Sequence, residues 1–461
     1  MTDWKKIVKE ALQLDSKFLE IEFKDFGQDS AKNLCEALSE EQNIEKIEFK
    51  ISSHPIGNAG WEYIGKGFSN CKNLHSLSIE IADSHNIGKD GMIFLSKNLK
   101  DCSQLVEFNM QIGGFNHIRK EGSSALKQIL ENLTQLQRIF LSIRQQFDWY
   151  FLRLNLFSKN DIGEQGAIQI GQGLKNLHNL QSFSIEIGQN FIGHEGIKGI
   201  CEGLKDLQNL KELSFNIRNM NNIGPQGSQE IGKLIQKLQQ LEIFSFTIYN
   251  NQILQEGIEG IGQGLSCCQN LLNLSMEIGN NSIGSQGAIQ LGKGLNRCYN
   301  LQDLHLIIFS QIIFLINCYN KDIIFQQKKN SGNEIGHEGC TGLALGFENL
   351  LRLENLYLSI GWQKKFNIFD IYNFFHSNNK IGSQGVISLG EQISKCINLR
   401  LFRLEFYQNE ITQDGILKFG SKIRHCSQLY YFQFTITDIN LETQQVFVRK
   451  LKKAANLVKI Y

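Results

Sequence analysis

The sequence predicts an α/β solenoid of about 13 repeats, with a parallel β-sheet on the concave face and α-helices on the convex face. Three observations predict it. The phrase I-G-x-x-G recurs from Ile56, Ile87, Ile162, Ile192, Ile223, Ile283, Ile335 and Ile381, with weaker copies from Phe26, Ile118, Ile253 and Ile411. A second phrase, L-x-x-L-x-Φ-x-Φ with Φ apolar, begins at 13 places from Leu14 to Leu429, at steps of 30 or 31 residues except for three of 44, 52 and 46. Within each unit an apolar period of 2 precedes one of 3 to 4, a strand and then a helix. Self-similarity at a fixed period builds a stacked array rather than several globular cores.

The elements follow in chain order. Met1, Trp4, Val8 and Ala11 are spaced 3, 4 and 3, so 1–13 reads as a capping helix over the first strand. From 14 to 441 the units repeat. Leu274, Met276 and Ile278 alternate with Ser275 and Glu277, as in a strand with one buried face. After each I-G-x-x-G phrase, apolar residues such as Ala288, Leu291, Leu295 and Cys298 fall on one face of a helix. Repeated strand, helix, strand units join parallel strands by right-handed crossovers. Residues 442–461 carry Phe447, Leu451, Ala454 and Val458 among basic residues, and read as a closing helix with a polar outer face. The whole of 1–461 is expected as a single solenoid with insertions near 144–157, 309–330 and 361–379.

The strand phrase, its Asn-rich exit, the I-G-x-x-G turn and the helix together resemble leucine-rich repeats of the long, ribonuclease-inhibitor-like kind, from about Leu14 to about Ile436. One departure stands out. The loop leucine of that family lies about ten residues after the first strand leucine, whereas Ile283 lies twelve after Leu271, which predicts longer strands or exits. The resemblance implies a recognition surface rather than an enzyme.

Composition excludes several classes. A chain that is 41% hydrophobic, with 47 Lys+Arg against 46 Asp+Glu, has a core to bury and no long-range field favouring nucleic acid or an anionic membrane. The N-terminus lacks a secretory pattern, and the longest apolar run, Leu304 to Ile316, is far short of the roughly 20 residues of a membrane span. A cytoplasmic location is expected, with no membrane partner. Of the 11 cysteines, Cys71, Cys102, Cys268, Cys298, Cys396 and Cys426 share one column with Leu133, Leu177, Leu207, Leu238 and Leu350, so they read as buried, reduced thiols. The stretch Gly287 to Lys293 spells G-x-x-x-x-G-K, but Gly294 follows where a phosphate loop needs Ser or Thr. Paired glycines such as Gly171/Gly173 and Gly292/Gly294 recur at one helix position, which predicts close approach of helix to helix or helix to sheet. His194-Glu195 and His337-Glu338 lack the second histidine of a zinc-protease motif. No catalytic residue, cofactor or metal is assigned.

Binding is expected on outward strand positions, which stack into columns across the concave face. One column runs Phe18, Glu48, Ser78, Asn109, Phe140, Ser184, Ser214, Ser245, Ser275, His305, Tyr357, Arg403, Gln433; the next includes Glu20, Glu80, Ser142, Glu186, Glu277, Ile307, Ser359 and Glu405. The three insertions leave one edge of the sheet and are rich in aromatic residues, including Trp149 and Trp362. Exposed aromatic clusters mark contact surfaces. Glu80, Phe140, Trp149, Glu186, Glu277, His305, Ile307, Tyr357, Trp362, Arg403 and Glu405 are therefore the expected partner-binding residues. The inserts are expected to fold over the apolar concave residues; their composition also matches translated AT-rich intervening sequence. The function expected is a non-catalytic protein-interaction scaffold. Alternatives are a GTPase-activator-like regulator of a small GTPase and a component of a cytoskeletal or ciliary assembly.

Overall fold

The computed structural model describes residues 6–10, 17–23, 26–41, 43–51, 56–82, 87–143, 160–218, 221–309, 314–319, 322–327, 333–361, 379–407, 409–452 and 459–460. The chain divides into two compact units, Met1–Asn222 and Ile223–Tyr461.

In the first unit seven parallel strands are paired in sequence order: β1 (Phe18–Phe23), β2 (Lys46–Ile51), β3 (Ser76–Ile81), β4 (Glu107–Ile112), β5 (Arg138–Ile143), β6 (Ser182–Glu186) and β7 (Glu212–Arg218). One helix joins each strand to the next: α1 (Gln28–Glu40), α2 (Gly57–Asn70), α3 (Gly88–Leu99), α4 (Arg119–Asn132), α5 (Gly163–Leu174) and α6 (Gly193–Leu204). The segment 6–10 is also helical and buries Val8, as a helix at the N-terminal end requires.

The second unit opens with α7 (Gly224–Lys237) and continues β8 (Ile243–Tyr249), α8 (Leu254–Leu265), β9 (Asn273–Gly279), α9 (Gly284–Leu295), β10 (Asp303–Phe309). After β10 comes an antiparallel pair, β11 (Phe314–Tyr319) with β12 (Asp322–Gln327), inside the second insertion. The repeat then resumes as α10 (Gly336–Leu345), β13 (Asn355–Gly361), α11 (Gly382–Ile393), β14 (Leu401–Tyr407), α12 (Gln413–Ile423), β15 (Tyr431–Ile436) and α13 (Leu441–Lys452). Strands β8, β9, β10, β13, β14 and β15 are parallel neighbours in that order. The hairpin does not disturb the register: Leu304, Leu306 and Ile308 face Leu356, Leu358 and Ile360 across it.

Most strands bury three inward residues. In β9 these are Leu274, Met276 and Ile278, each 2% exposed or less, while Asn273, Ser275 and Glu277 stay half-buried. This third inward residue accounts for the twelve-residue spacing from Leu271 to Ile283. It also moves the exit asparagine two positions later than the family pattern places it.

That asparagine is the main structural feature the sequence reading passes over. Asn116, Asn160, Asn190 and Asn221 in the first unit, and Asn251, Asn281, Asn333, Asn379 and Asn409 in the second, are each 3% exposed or less. Burying an amide is costly unless its hydrogen-bonding groups are met, and the side chains of Asn116, Asn221, Asn281 and Asn333 both donate and accept. Asn281 shows how. Its Nδ2 donates to the Ile248 carbonyl of the preceding strand at 2.9 Å and to Gly279 at 2.8 Å, and its Oδ1 accepts from the Asn251 N–H at 2.9 Å. Its own carbonyl accepts from Leu254 N–H, the first residue of α8. Each such residue thus ties one rung to the rung before it and meets an otherwise orphaned helix N–H. The row ends in a carboxylate, where Asp438 accepts from the N–H groups of Asn409 and Ile411 at 2.7 and 3.0 Å.

Two expectations are corrected. In the outer columns β1 sits two residues further on: Glu20, not Phe18, pairs with Glu48, and Glu22, not Glu20, pairs with Lys50. Inward Leu19 and Ile21 meet Ile47 and Phe49, and burial of these four sets the register. At the other end Leu441–Lys452 is helix as expected, but Lys459–Ile460 (β16) is strand and pairs in parallel with Tyr431 and Phe432, covering part of the edge that β15 would leave open.

The helices approach one another through glycine. A Cβ on Gly171 of α5 would lie 2.0 Å from the Gly199 carbonyl oxygen of α6, and one on Gly292 of α9 would lie 2.3 Å from that of Gly342 in α10. The paired glycines therefore serve helix-to-helix contact. Gly287 to Lys293 lies wholly within α9, so it is helix and not a phosphate-binding loop.

Candidate functional site

Because inward residues fill the core, chemistry on the sheet is left to the outward columns. In the second unit the strands β9, β10, β13 and β14 bring Ser275, His305, Tyr357 and Arg403 into register as one column and Glu277, Ile307, Ser359 and Glu405 as the next. Six of the eleven sequence-predicted binding residues are thereby brought together. Glu277, His305, Ile307, Tyr357, Arg403 and Glu405 lie together, whereas Phe140 and Glu186 lie on β5 and β6 in the first unit, with Glu80 on β3. Trp149 and Trp362, and most of the three insertions, lie outside the described residues.

The His305 ring meets the Tyr357 ring edge-on, with centroids 4.4 Å apart. Burial lowers the His305 pKa below the usual imidazole value, against the opposing pull of the Glu277 and Glu405 carboxylates, so the ring favours its neutral form. Next to it Ile307 is only 4% exposed although it points to the outer face. The Arg403 guanidinium lies 5.7 Å from the Tyr431 ring centre, a cation–π distance. Ser359 Oγ donates to Glu405 at 3.1 Å, and Asn355 Nδ2 donates to Asp303 at 2.5 Å. Polar side chains thus pair rung to rung and hold each other in place.

In the first unit the same columns are smaller and more polar. Ser142 Oγ donates to Glu186 at 2.9 Å, and Asn216 Nδ2 reaches the other carboxylate oxygen at 3.3 Å. Asn109 Nδ2 donates to Ser78 at 3.0 Å. Ser142, Ile307 and Ser359 are buried at 1%, 4% and 3%, unlike Glu80, Glu186, Glu277 and Glu405 in their column; these three stand on β5, β10 and β13, the strands that precede the insertions.

The sequence reading misses one outward column, Asn273, Asp303, Asn355 and Leu401, which lies two residues before the first. The signal was present, since the period of 2 extends one step further back along each strand. Among the described residues no group of three His, Cys, Asp or Glu side chains is placed to hold a metal. No helix among them is long and apolar enough to cross a membrane.

Parallel strands at one per repeat, a helix behind each, and a buried asparagine at nine of the strand exits define a leucine-rich-repeat solenoid. No family model matches the chain, and no curated protein matches it. Among solved structures, a chain from the crystal structure of the Rad7 and Elc1 complex in yeast is similar at 13% identity. That match covers 94% of this chain and 84% of the other, with a TM-score of 0.41.

Proposed function

We propose that the chain is a non-catalytic scaffold of the long, ribonuclease-inhibitor-like repeat kind, which holds a protein partner on the outer face of its sheet. The observation that carries this is the face of β9, β10, β13 and β14. There an edge-on His305–Tyr357 pair, Arg403 over Tyr431 and the carboxylates of Glu277 and Glu405 stand on strands whose other side is packed core. Tyr and Arg on a rigid support are the residues that most often carry interface affinity. The phrase Asn221-Asn222-Ile223-Gly224 spans the division between the units, which supports one array of repeats over 1–461.

The test is affinity capture from the native cell with the full chain, the Tyr357→Ala, Arg403→Ala double variant, and Lys198→Ala on a helix surface as control. The proposal expects the double variant to lose proteins that the other two retain. Identical captured sets from all three would refute it. Faster GTP hydrolysis by small GTPases mixed with the chain would make it their regulator instead.

A further inference from the structure

A second surface, distinct from the sheet face, stands on the turns that lead from helix to strand. The repeat supplies its own control there. The residue after the buried Cys or Leu of each turn is Lys72, Ser103, Thr134, His178 and Gln208 in the first unit, and Gln239, Gln269 and Ser427 in the second, all exposed and polar. On three successive rungs of the second unit, those of β10, β13 and β14, it is instead Tyr299, Leu351 and Ile397, which are 43%, 49% and 58% exposed. Leu345, at the end of α10, is 49% exposed and adds to the row.

The row is held firm and is basic. Asn398 Nδ2 donates to the Leu351 carbonyl at 2.8 Å, Asn296 Nδ2 to the Leu345 carbonyl at 2.8 Å, and Asn300 Nδ2 to the Gln269 carbonyl at 2.7 Å, so each turn is tied to its neighbour. Around it the carboxylates of Glu348 and Glu354 are taken by Lys395 at 2.8 Å and Arg400 at 3.2 Å. Arg297 and Arg352 are exposed on the same turns. Arg297 Nη1 donates to the Tyr299 hydroxyl at 3.3 Å. The charge balance of these turns is therefore positive.

Exposed apolar rows on a rigid support mark contact surfaces, and their charged rims select the partner. We propose that Tyr299, Leu351 and Ile397 form a docking row for a partner segment that is apolar along one stripe and acidic on its flanks. A second copy of the chain would set arginine against arginine, which disfavours it.

The experiment titrates the full chain into a fluorescent amphipathic peptide of about 18 residues, five helical turns, with leucines on one face and glutamates on the other. A matched peptide with lysines for glutamates is the comparison. The glutamate peptide is expected to bind at least about tenfold more tightly, and to weaken with added salt. The Leu351→Gln, Ile397→Gln variant, which restores the residue type found in the same column elsewhere, is expected to weaken it about tenfold with unchanged thermal unfolding. Arg352→Glu should narrow the preference between the two peptides. Equal binding of both peptides, or binding indifferent to Leu351→Gln, Ile397→Gln, would overturn the proposal. So would self-association of the unsubstituted chain that this variant abolishes in sedimentation.

Discussion

Gly284 and Gly292 belong to one helix and are glycine for different reasons. Gly284 has a φ of +64° with nothing within 4 Å of a Cβ built on it, so only the left-handed backbone demands it. Alanine there is expected to cost about 1 kcal/mol. Gly292 is helical, and a Cβ would meet the Gly342 carbonyl oxygen at 2.3 Å, so Gly292→Ala must push two helices apart and should cost about 2–3 kcal/mol. Urea unfolding of the two variants separates the cases. The close approach was legible in the sequence from the recurrence of glycine pairs. The turn glycine was legible only as part of a phrase, because the weaker copies put Arg119 and Leu254 in the same left-handed conformation, at φ of 55° and 56°.

The cysteines are a second residue-scale case. Nine of the ten described thiols are buried and free, and burial pushes Cys71, Cys102, Cys268, Cys298, Cys396 and Cys426 up to about 12. The ordinary thiol value is 9.0, so between pH 9 and 12 the unfolded chain loses protons that the folded chain keeps. Stability is therefore full below pH 9 and falls as pH rises toward 12. Urea midpoints should drop over that range, and Cys298→Ala should lessen the slope. Native alkylation at pH 7 should label Cys267, the exposed one, ahead of the other nine. The shared Cys/Leu column was enough to predict this burial, since no polar residue could take that place without a partner.

At the scale of the element, twelve of the thirteen strands take the register that the apolar alternation predicts, because a slip would turn the inward triplet to water. The exception, β1, lies at the end of the sheet, where a neighbour on one side only constrains it and Leu14 imitates a strand leucine. The asparagine row escaped notice because exit asparagines resemble loop residues. Nothing local distinguishes Asn281, whose side chain is bonded to backbone groups of the neighbouring rung, from Asn280, which is also buried but donates to the Tyr249 hydroxyl at 3.0 Å. Their partners decide between them, and the backbone partners of Asn281 come from the neighbouring rung. Asn281→Leu should therefore cost about 3 kcal/mol by leaving backbone groups of Asn251 and Ile248 unmet, against much less for Asn280→Ala.

At the scale of the whole molecule, the class of fold was legible because thirty-residue self-similarity repeats the same inward triplet and helix face many times over. The sites were less so. A repeat fixes which side chains point outward, and Glu277, His305, Ile307, Tyr357, Arg403 and Glu405 do share one face; it does not fix which outward residues a partner uses. The apolar row of Tyr299, Leu351 and Ile397 lay in plain sight as three departures from a polar column, but only exposure shows that it is surface and not core.

Nine described rungs are each fastened to a neighbour through one buried asparagine, and the binding surfaces depend on that fastening for their rigidity. Residue-resolved amide hydrogen exchange on the native chain measures it. The N–H of Asn251, held by Asn281 Oδ1 at 2.9 Å, and that of Asn281, held by Asn333 Oδ1 at 3.1 Å, should exchange as slowly as the β9 strand amides. In Asn281→Ala, the Asn251 amide should speed up well before those of β13. Exchange of both amides at the rate of an ordinary surface loop, with no change in the variant, would contradict it.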